Sequence, residues 1–393
     1  MLAASLATAL LGKGGPSSAA EMANEGQRRA SAAPSARVGL VRPTPPRKYT
    51  VRRPVVRVRS AAQLRAALTR RAPARIVLRD GLYDADAAFV NAYGHAIYAE
   101  TVGKAILTAG ITMGSAGGGA GLLQGVVIDV SDYGETVDGV AVAVRGHAGG
   151  VFDVTLRGHG VIRSGLVVRQ PEGFRAARLV VRDFTDYGVL VDANDRSRTQ
   201  LSRPFSLRDL DVAGIKRAEP GSSRGRAEAC VWLGNPGAAA RIRARDCGWT
   251  GLWTGTAATG LRVADVDVDV TKTGVYLEHF THQSTFERIR VGRGVRVGLT
   301  AEWADPGWGG LPASVDNVVE ASRFESWLAG VYLDKGTTRT VIRGSTFAGQ
   351  RWAAIADYEG IDNAYYGNDY RGIAVGAVAV TQDHIRKAPD GDG

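Results

Sequence analysis

Short stretches in which apolar residues alternate behind a small residue recur along the chain. They are Gly165-Leu-Val-Val, Gly188-Val-Leu-Val, Cys230-Val-Trp-Leu, Gly251-Leu-Trp-Thr, Gly274-Val-Tyr-Leu, Gly298-Leu-Thr-Ala and Gly330-Val-Tyr-Leu, followed by Ala353-Ala-Ile-Ala and Gly372-Ile-Ala-Val. Their starts lie 23, 42, 21, 23, 24, 32, 23 and 19 residues apart. This is a unit of about 23 residues, doubled once and lengthened once by an inserted loop. Between the copies run further alternating stretches such as Ala240-Arg-Ile-Arg-Ala-Arg, Phe286-Glu-Arg-Ile-Arg-Val and Thr340-Val-Ile-Arg. Period-2 segments separated by Gly and Asn/Asp predict two or three short strands per unit, and no helical period intervenes as a βαβ unit would require. The pattern predicts an all-β solenoid of parallel strands with ten or more rungs, each about 4.8 Å from the next, from near Val126 to the C-terminus.

A solenoid exposes its core and strand edges at each end, so a cap is expected. Ser60-Ala-Ala-Gln63 reads as a capping box opening an amphipathic helix with Leu64 and Leu68. The strand Arg75-Ile-Val-Leu, the turn Asp80-Gly81 and Tyr83 follow it. This entrance, "ARIVLRDGLYD", and later rungs such as "NVVEASRFESWLAGVYLDKG" resemble the right-handed parallel β-helix superfamily typified by pectate lyases, over roughly residues 55–375. The resemblance implies the fold and says little about activity. That superfamily holds lyases, glycosidases, epimerases, esterases, tailspikes and adhesins.

With the second and fourth places of each repeat turned inward, the third and fifth face outward on one sheet. The third place reads Trp232, Trp253, Tyr276, Thr300 and Tyr332, an aromatic strip suited to the apolar faces of sugar rings or, alternatively, a ladder that only stabilises the sheet. The fifth reads Arg169, Asp192, Gly234, Gly255, Glu278, Glu302, Asp334 and, by the same spacing, Asp357. Three roles are open to Glu278, Glu302 and Asp334. They suit acid and base or nucleophile in glycoside cleavage or Ca²⁺ binding through carboxylate oxygens; otherwise they are solvated acids neutralised by Lys335, Arg288 and Arg290. Gly234 and Gly255 either open a groove beside the tryptophans or serve turn geometry. His279 and His282 sit beside the acids, where a neutral imidazole acts as a base or simply holds a corner. The inserted loop carries Trp303 and Trp308 between glycines and reads as a cover over a bound chain or over the sheet.

Other motifs fail when tested. Gly158-His159-Gly160 and Arg241-Ile242-Arg243 echo polygalacturonases, but the accompanying Asn-Thr-Asp and Asp-Asp carboxylates are missing from the sequence. The run Ala116-Gly-Gly-Gly-Ala-Gly121 lacks the Lys-Ser/Thr of a phosphate loop. Asp192-Ala-Asn194-Asp195 lacks the distal Glu of a calcium loop, so Asp192 stays only as a member of the acid column.

Composition narrows the picture. The net charge of +10 is concentrated in residues 1–60, with 11 Lys/Arg against two acids, whereas the remaining 38 bases and 37 acids nearly cancel. Bases confined to a tail argue against a nucleic-acid-binding fold. The segment Leu2 to Leu11 with Ser18-Ala-Ala20 reads as an export signal within 1–20, although its basic leader is missing, and Ala/Pro/Arg-rich 21–54 reads as a linker before a β-helix domain at 55–393. No apolar run is long enough to span a membrane. Cys230 and Cys247 match no zinc spacing, and a single bridge between them is open. No heptad pattern marks an oligomer. Together these features favour a secreted or cell-surface protein that binds and cleaves a polysaccharide as lyase or glycoside hydrolase, the alternative being a non-catalytic carbohydrate-binding, adhesin-like or envelope β-helix.

Overall fold

Every strand of the 23-residue unit pairs in parallel with its counterpart one unit earlier and one unit later. The strands therefore coil rather than form hairpins. The computed structural model describes residues 53–115, 118–169, 171–191, 203–216, 229–234, 236–255, 258–270, 272–302, 313–373 and the backbone of 376–379. Residues 53–393 form one unit. One face is a sheet of 12 strands, running from Phe89–Asn91 to Gly376–Ala379, and a 19-strand sheet supplies the other two faces. The solenoid thus begins before Val126: Phe89–Asn91 and Ile111–Met113 are already rungs of the 12-strand face. The first rungs were missed because their strands are three residues long, too short to show alternation.

Register confirms the repeat over most of its length. Leu166, Val189, Val231, Leu252, Val275, Leu299 and Val331 stand in one column. The last two copies are out of step. Val331 pairs with Ile355 and Leu333 with Asp357, and the final strand is Gly376–Ala379 rather than Gly372-Ile-Ala-Val. Where glycine opens a repeat, a side chain would meet close neighbours. A Cβ on Gly274 would lie 2.9 Å from a Val291 methyl across the core, where only hydrogen fits.

Like residues stack on like: the buried rings of Phe324 and Phe347 lie 5.3 Å apart, and the exposed ring of Tyr370 stacks on Phe347 at 5.6 Å, each pair with planes 18° apart. Corner amides are satisfied by asparagines: Asn317, Asn363 and Asn368 each accept a backbone N–H and donate to a backbone carbonyl. In the 19-strand sheet the bend between faces falls on a left-handed residue once per turn, among them Asp153, Arg178, Asp209, Arg241, Asp265 and Arg288. Their charges alternate along the axis, and Arg178, Arg241 and Arg288 grip Asp153, Asp209 and Asp265 with two hydrogen bonds each.

Near the N-terminal end, helix α1 (Ala61–Leu68) starts at Ser60, whose hydroxyl accepts the Gln63 N–H while the Gln63 side chain accepts the Arg59 N–H. Leu64, Ala67 and Leu68 are buried in the core. Cys230 and Cys247, both fully buried, are joined by a disulfide that closes one turn. Among the described residues no helix is long and apolar enough to cross a membrane. The candidate signal and the 21–54 linker, save Arg53 and Pro54, lie outside the described residues.

Candidate functional site

The 12-strand face carries the outward columns. Trp232, Trp253, Tyr276, Thr300 and Tyr332 occupy one register column on the strands Ala229–Leu233, Thr250–Thr254, Thr273–Leu277, Val297–Ala301 and Ala329–Leu333. All five are half-buried. Two residues farther along the direction of each strand stand Gly234, Gly255, Glu278, Glu302 and Asp334, whose backbone N–H groups continue the ladder to the preceding rung. The next residue in this column is Tyr358. Asp357 points inward, is buried, and is held by the Tyr365 hydroxyl, the Asn363 amide and the Gly360 N–H. It is therefore removed from the acid column; a one-residue shift in a strand reverses the face a side chain occupies.

The corners after two of the acids share one construction. In Glu278-His-Phe-Thr281, the Thr281 hydroxyl and N–H both donate to the Glu278 carbonyl, at 2.9 and 3.1 Å. In Asp334-Lys-Gly-Thr337 the Thr337 hydroxyl and N–H do the same to the Asp334 carbonyl, at 2.7 and 3.1 Å. Both threonines are fully buried, so the turn that aims each carboxylate is tied into the core.

Each acid is held by a ring from the aromatic strip. The Trp253 indole donates to Glu278 at 3.0 Å. The Tyr276 hydroxyl faces Glu302 on the next rung, and the Tyr332 hydroxyl faces Asp334 on its own. His279, nearly buried, places Nε2 3.3 Å from a Glu302 oxygen. Burial pushes the Glu302 carboxyl above the usual carboxylate range, against the hydrogen bond from Tyr276 and the field of His279 that lower it; Asp334 raises it further. Burial likewise raises Asp334, whose partners are the Lys335 N–H at 2.7 Å and Tyr332. Both tyrosines are pushed up, first by burial and then by the carboxylates they face.

The three cations expected to neutralise the acids have other partners. Lys335 pairs with Glu359 at 2.7 Å, Arg288 with Asp265 and Glu287, and Arg290 lies 3.9 Å from Asp267. The arginines belong to the 19-strand sheet, a different face. His282 is apart from the acid group: its Nδ1 contacts the Phe280 carbonyl at 2.8 Å and its ring stacks on Phe280 at 4.3 Å. Among the described residues no three His, Cys, Asp or Glu side chains converge as a metal site. Asp192, Trp303 and Trp308 lie outside the described residues.

The aromatic strip is not uniform. Trp253 and Tyr276 meet edge to face at 5.1 Å, and Trp249, which the repeat pattern did not single out, packs against both at 4.7 and 5.0 Å. Trp249 stands just before its strand, outside the alternation that would have exposed it. Trp232 is different. Its indole lies across Gly234 and Gly255: a Cβ on Gly234 would come within 2.5 Å of the ring, and one on Gly255 would overlap it. The glycines therefore do not open an empty groove; they seat the indole.

No protein-family model matches the chain, and no curated protein does. Among solved structures, the A-module of the mannuronan C-5 epimerase AlgE4 of Azotobacter vinelandii superposes on 82% of this chain and 97% of its own with a TM-score of 0.54 at 12% identity. The Dettilon tailspike protein does so over 81% of this chain and 64% of its own, with a TM-score of 0.51 at 13% identity. Identities this low carry the likeness to the backbone and no further, and on that likeness and its own register the chain is a parallel β-helix protein.

Proposed function

We propose that the protein binds a polysaccharide along the 12-strand face and cleaves it at Glu278, Glu302 and Asp334. What supports this most is the setting of Glu302: a carboxyl drawn upward by burial, held by Tyr276 and His279, one rung from Glu278 and one from Asp334. A carboxyl whose pKa is raised holds its proton to higher pH, as a group that protonates a glycosidic oxygen must. Glu278, fixed by Trp253, then serves as the opposing carboxylate. A rung spacing of about 4.8 Å is near the roughly 5–5.5 Å between carboxyls that attack and protonate from the two sides in retaining cleavage. His279 orients Glu302, Asp334 keeps its proton on, and Trp303 and Trp308, directly after Glu302 in the sequence, are assigned to cover the chain.

A mannuronan epimerase shares this fold, which suits a polysaccharide ligand. An extracellular or cell-surface location belongs to the same proposal and draws support from the Cys230–Cys247 disulfide, a bond that persists in oxidising compartments. One observation favours a second reading, a non-catalytic glycan-binding or adhesin-like solenoid: the acids and rings already satisfy one another, as on a purely structural face.

The protein incubated with neutral and uronate polysaccharides, with calcium and with chelator, decides between them. Reducing ends released without unsaturated product mean hydrolysis, and reducing ends with ultraviolet absorbance mean β-elimination. Glu302→Gln should lower the rate by about 10²-fold or more with the fold intact. Unchanged rates in Glu302→Gln and Glu278→Gln would remove those roles. Binding without product would establish the second reading.

A further inference from the structure

Trp232 stands apart from every other aromatic of the 12-strand face. Trp249, Trp253 and Tyr276 pack on one another, the Tyr276 and Tyr332 hydroxyls face carboxylates, and Trp253 spends its N–H on Glu278. The Trp232 indole has neither a ring partner nor a hydrogen bond among the described residues, and its N–H is not among the buried unsatisfied groups. It lies instead over the backbone of two glycines at the two rungs where the acid column is interrupted. Glycine at 234 and 255 leaves the space that the ring occupies, and the indole there is only half-buried. A flat apolar surface beside a free donor matches a pyranose, which has an apolar face and hydroxyls at its rim.

The register then places this surface relative to the acids. Trp232, Trp253, Tyr276 and Thr300 are successive members of one column, and Glu302 follows Thr300 by two residues on the same side. Trp232 is therefore three rungs from Glu302, about 14 Å at the usual strand spacing. A pyranose repeat in an extended chain is about as long as one rung, so a glycan along the axis would bring its third or fourth sugar from Glu302 over the indole.

We infer that Trp232, seated on Gly234 and Gly255, is a distal subsite that stacks one pyranose of the bound chain and makes the protein selective for chain length. The inference rests on the glycan-binding reading above. Length selectivity follows because a two-unit oligosaccharide held at the acids does not reach the indole, whereas a six-unit one does.

Affinity electrophoresis through laminarin, xylan, galactomannan, polygalacturonate and alginate first finds a polysaccharide that retards the wild-type protein. Oligosaccharides of that glycan with two and six units are then titrated against wild type, Trp232→Ala and Trp232→Phe. Trp232→Ala should weaken the six-unit ligand about tenfold and leave the two-unit ligand unchanged, with Trp232→Phe intermediate. Gly255→Ala, which displaces the ring without deleting it, should reproduce the six-unit loss if its thermal unfolding shows an intact fold. Equal six-unit affinity in wild type and Trp232→Ala, with binding lost in Trp253→Ala, would overturn the subsite and leave the glycan-binding face standing. No retardation of wild type by any of the five polysaccharides would overturn the glycan-binding reading and the subsite with it.

Discussion

The Trp253 indole N–H meets a Glu278 carboxylate oxygen at 3.0 Å across one rung of the solenoid, tying the aromatic strip to the acid column at the point where the acids begin. A hydrogen bond to a charged group contributes about 1.5–3 kcal/mol, less where water competes. Trp253→Phe keeps most of the ring packing and removes the donor. It should lower the unfolding free energy by about 1–2 kcal/mol, read from urea denaturation midpoints. A variant as stable as wild type would show that the bond is replaced by water at no cost.

The pH dependence of stability follows from Glu302 and Asp334, whose carboxyls burial raises above 4.5 and 3.8 respectively. For an acid with a raised folded pKa, the unfolded chain gives up its proton first as pH increases. Their contribution is therefore fullest below the unfolded values and is lost as pH climbs through the interval up to the folded ones. Glu302→Gln and Asp334→Asn should flatten this loss and melt higher than wild type near neutrality while cleaving less. A melting profile with the wild-type slope in both variants would mean that the carboxyls are solvated.

Charge and backbone conformation compete at Arg241. Its ion pair with Asp209 is exposed and contributes up to about 1 kcal/mol, while its φ of 54° is the left-handed region that costs a non-glycine residue about 1–2 kcal/mol. Arg241→Ala loses the pair and keeps the strain; Arg241→Gly loses the pair and relieves the strain. Arg241→Gly should therefore be the more stable of the two by about 1 kcal/mol, with wild type falling toward Arg241→Ala as salt is added. The reverse order in denaturation would sink the assignment.

His95 supplies an acid-sensitive element near helix α1. Buried, it accepts the Ala74 N–H at Nδ1, and its Nε2 is 3.3 Å from the Leu68 carbonyl at the helix end. Burial lowers its pKa below 6.5, outweighing the backbone hydrogen bonds that raise it. The unfolded chain therefore takes up a proton first as pH falls, so this stability is present above about pH 6.5 and declines below it until the folded imidazole also protonates. Hydrogen exchange of the Ala74 amide should quicken between neutral and mildly acidic pH, relative to amides of the central rungs, beyond the intrinsic change. Constant relative protection would show that His95 stays neutral without cost.

Alternation and period in the sequence were enough to determine the coil, the parity of the rungs from Gly165 to Leu333 and the five-residue aromatic column, because inward and outward positions in a strand differ by a single step and a 23-residue recurrence stacks that step in space. The same parity brought Glu278, Glu302 and Asp334 into line. Where a rung is too short to alternate, as at Phe89–Asn91, or lacks its glycine, as at Ala353–Asp357, the pattern had nothing to fix the frame, and Asp357 was assigned to the wrong face. Tertiary structure alone decided which groups touch: Lys335 turned to Glu359, Trp249 joined Trp253, Cys230 bonded Cys247, and the Trp232 indole came to rest on two glycines, Gly234 two residues after it and Gly255 at the same place on the next rung. Those choices depend on side-chain rotamers and on neighbours brought together by the coil, and neither is written in the spacing of apolar residues.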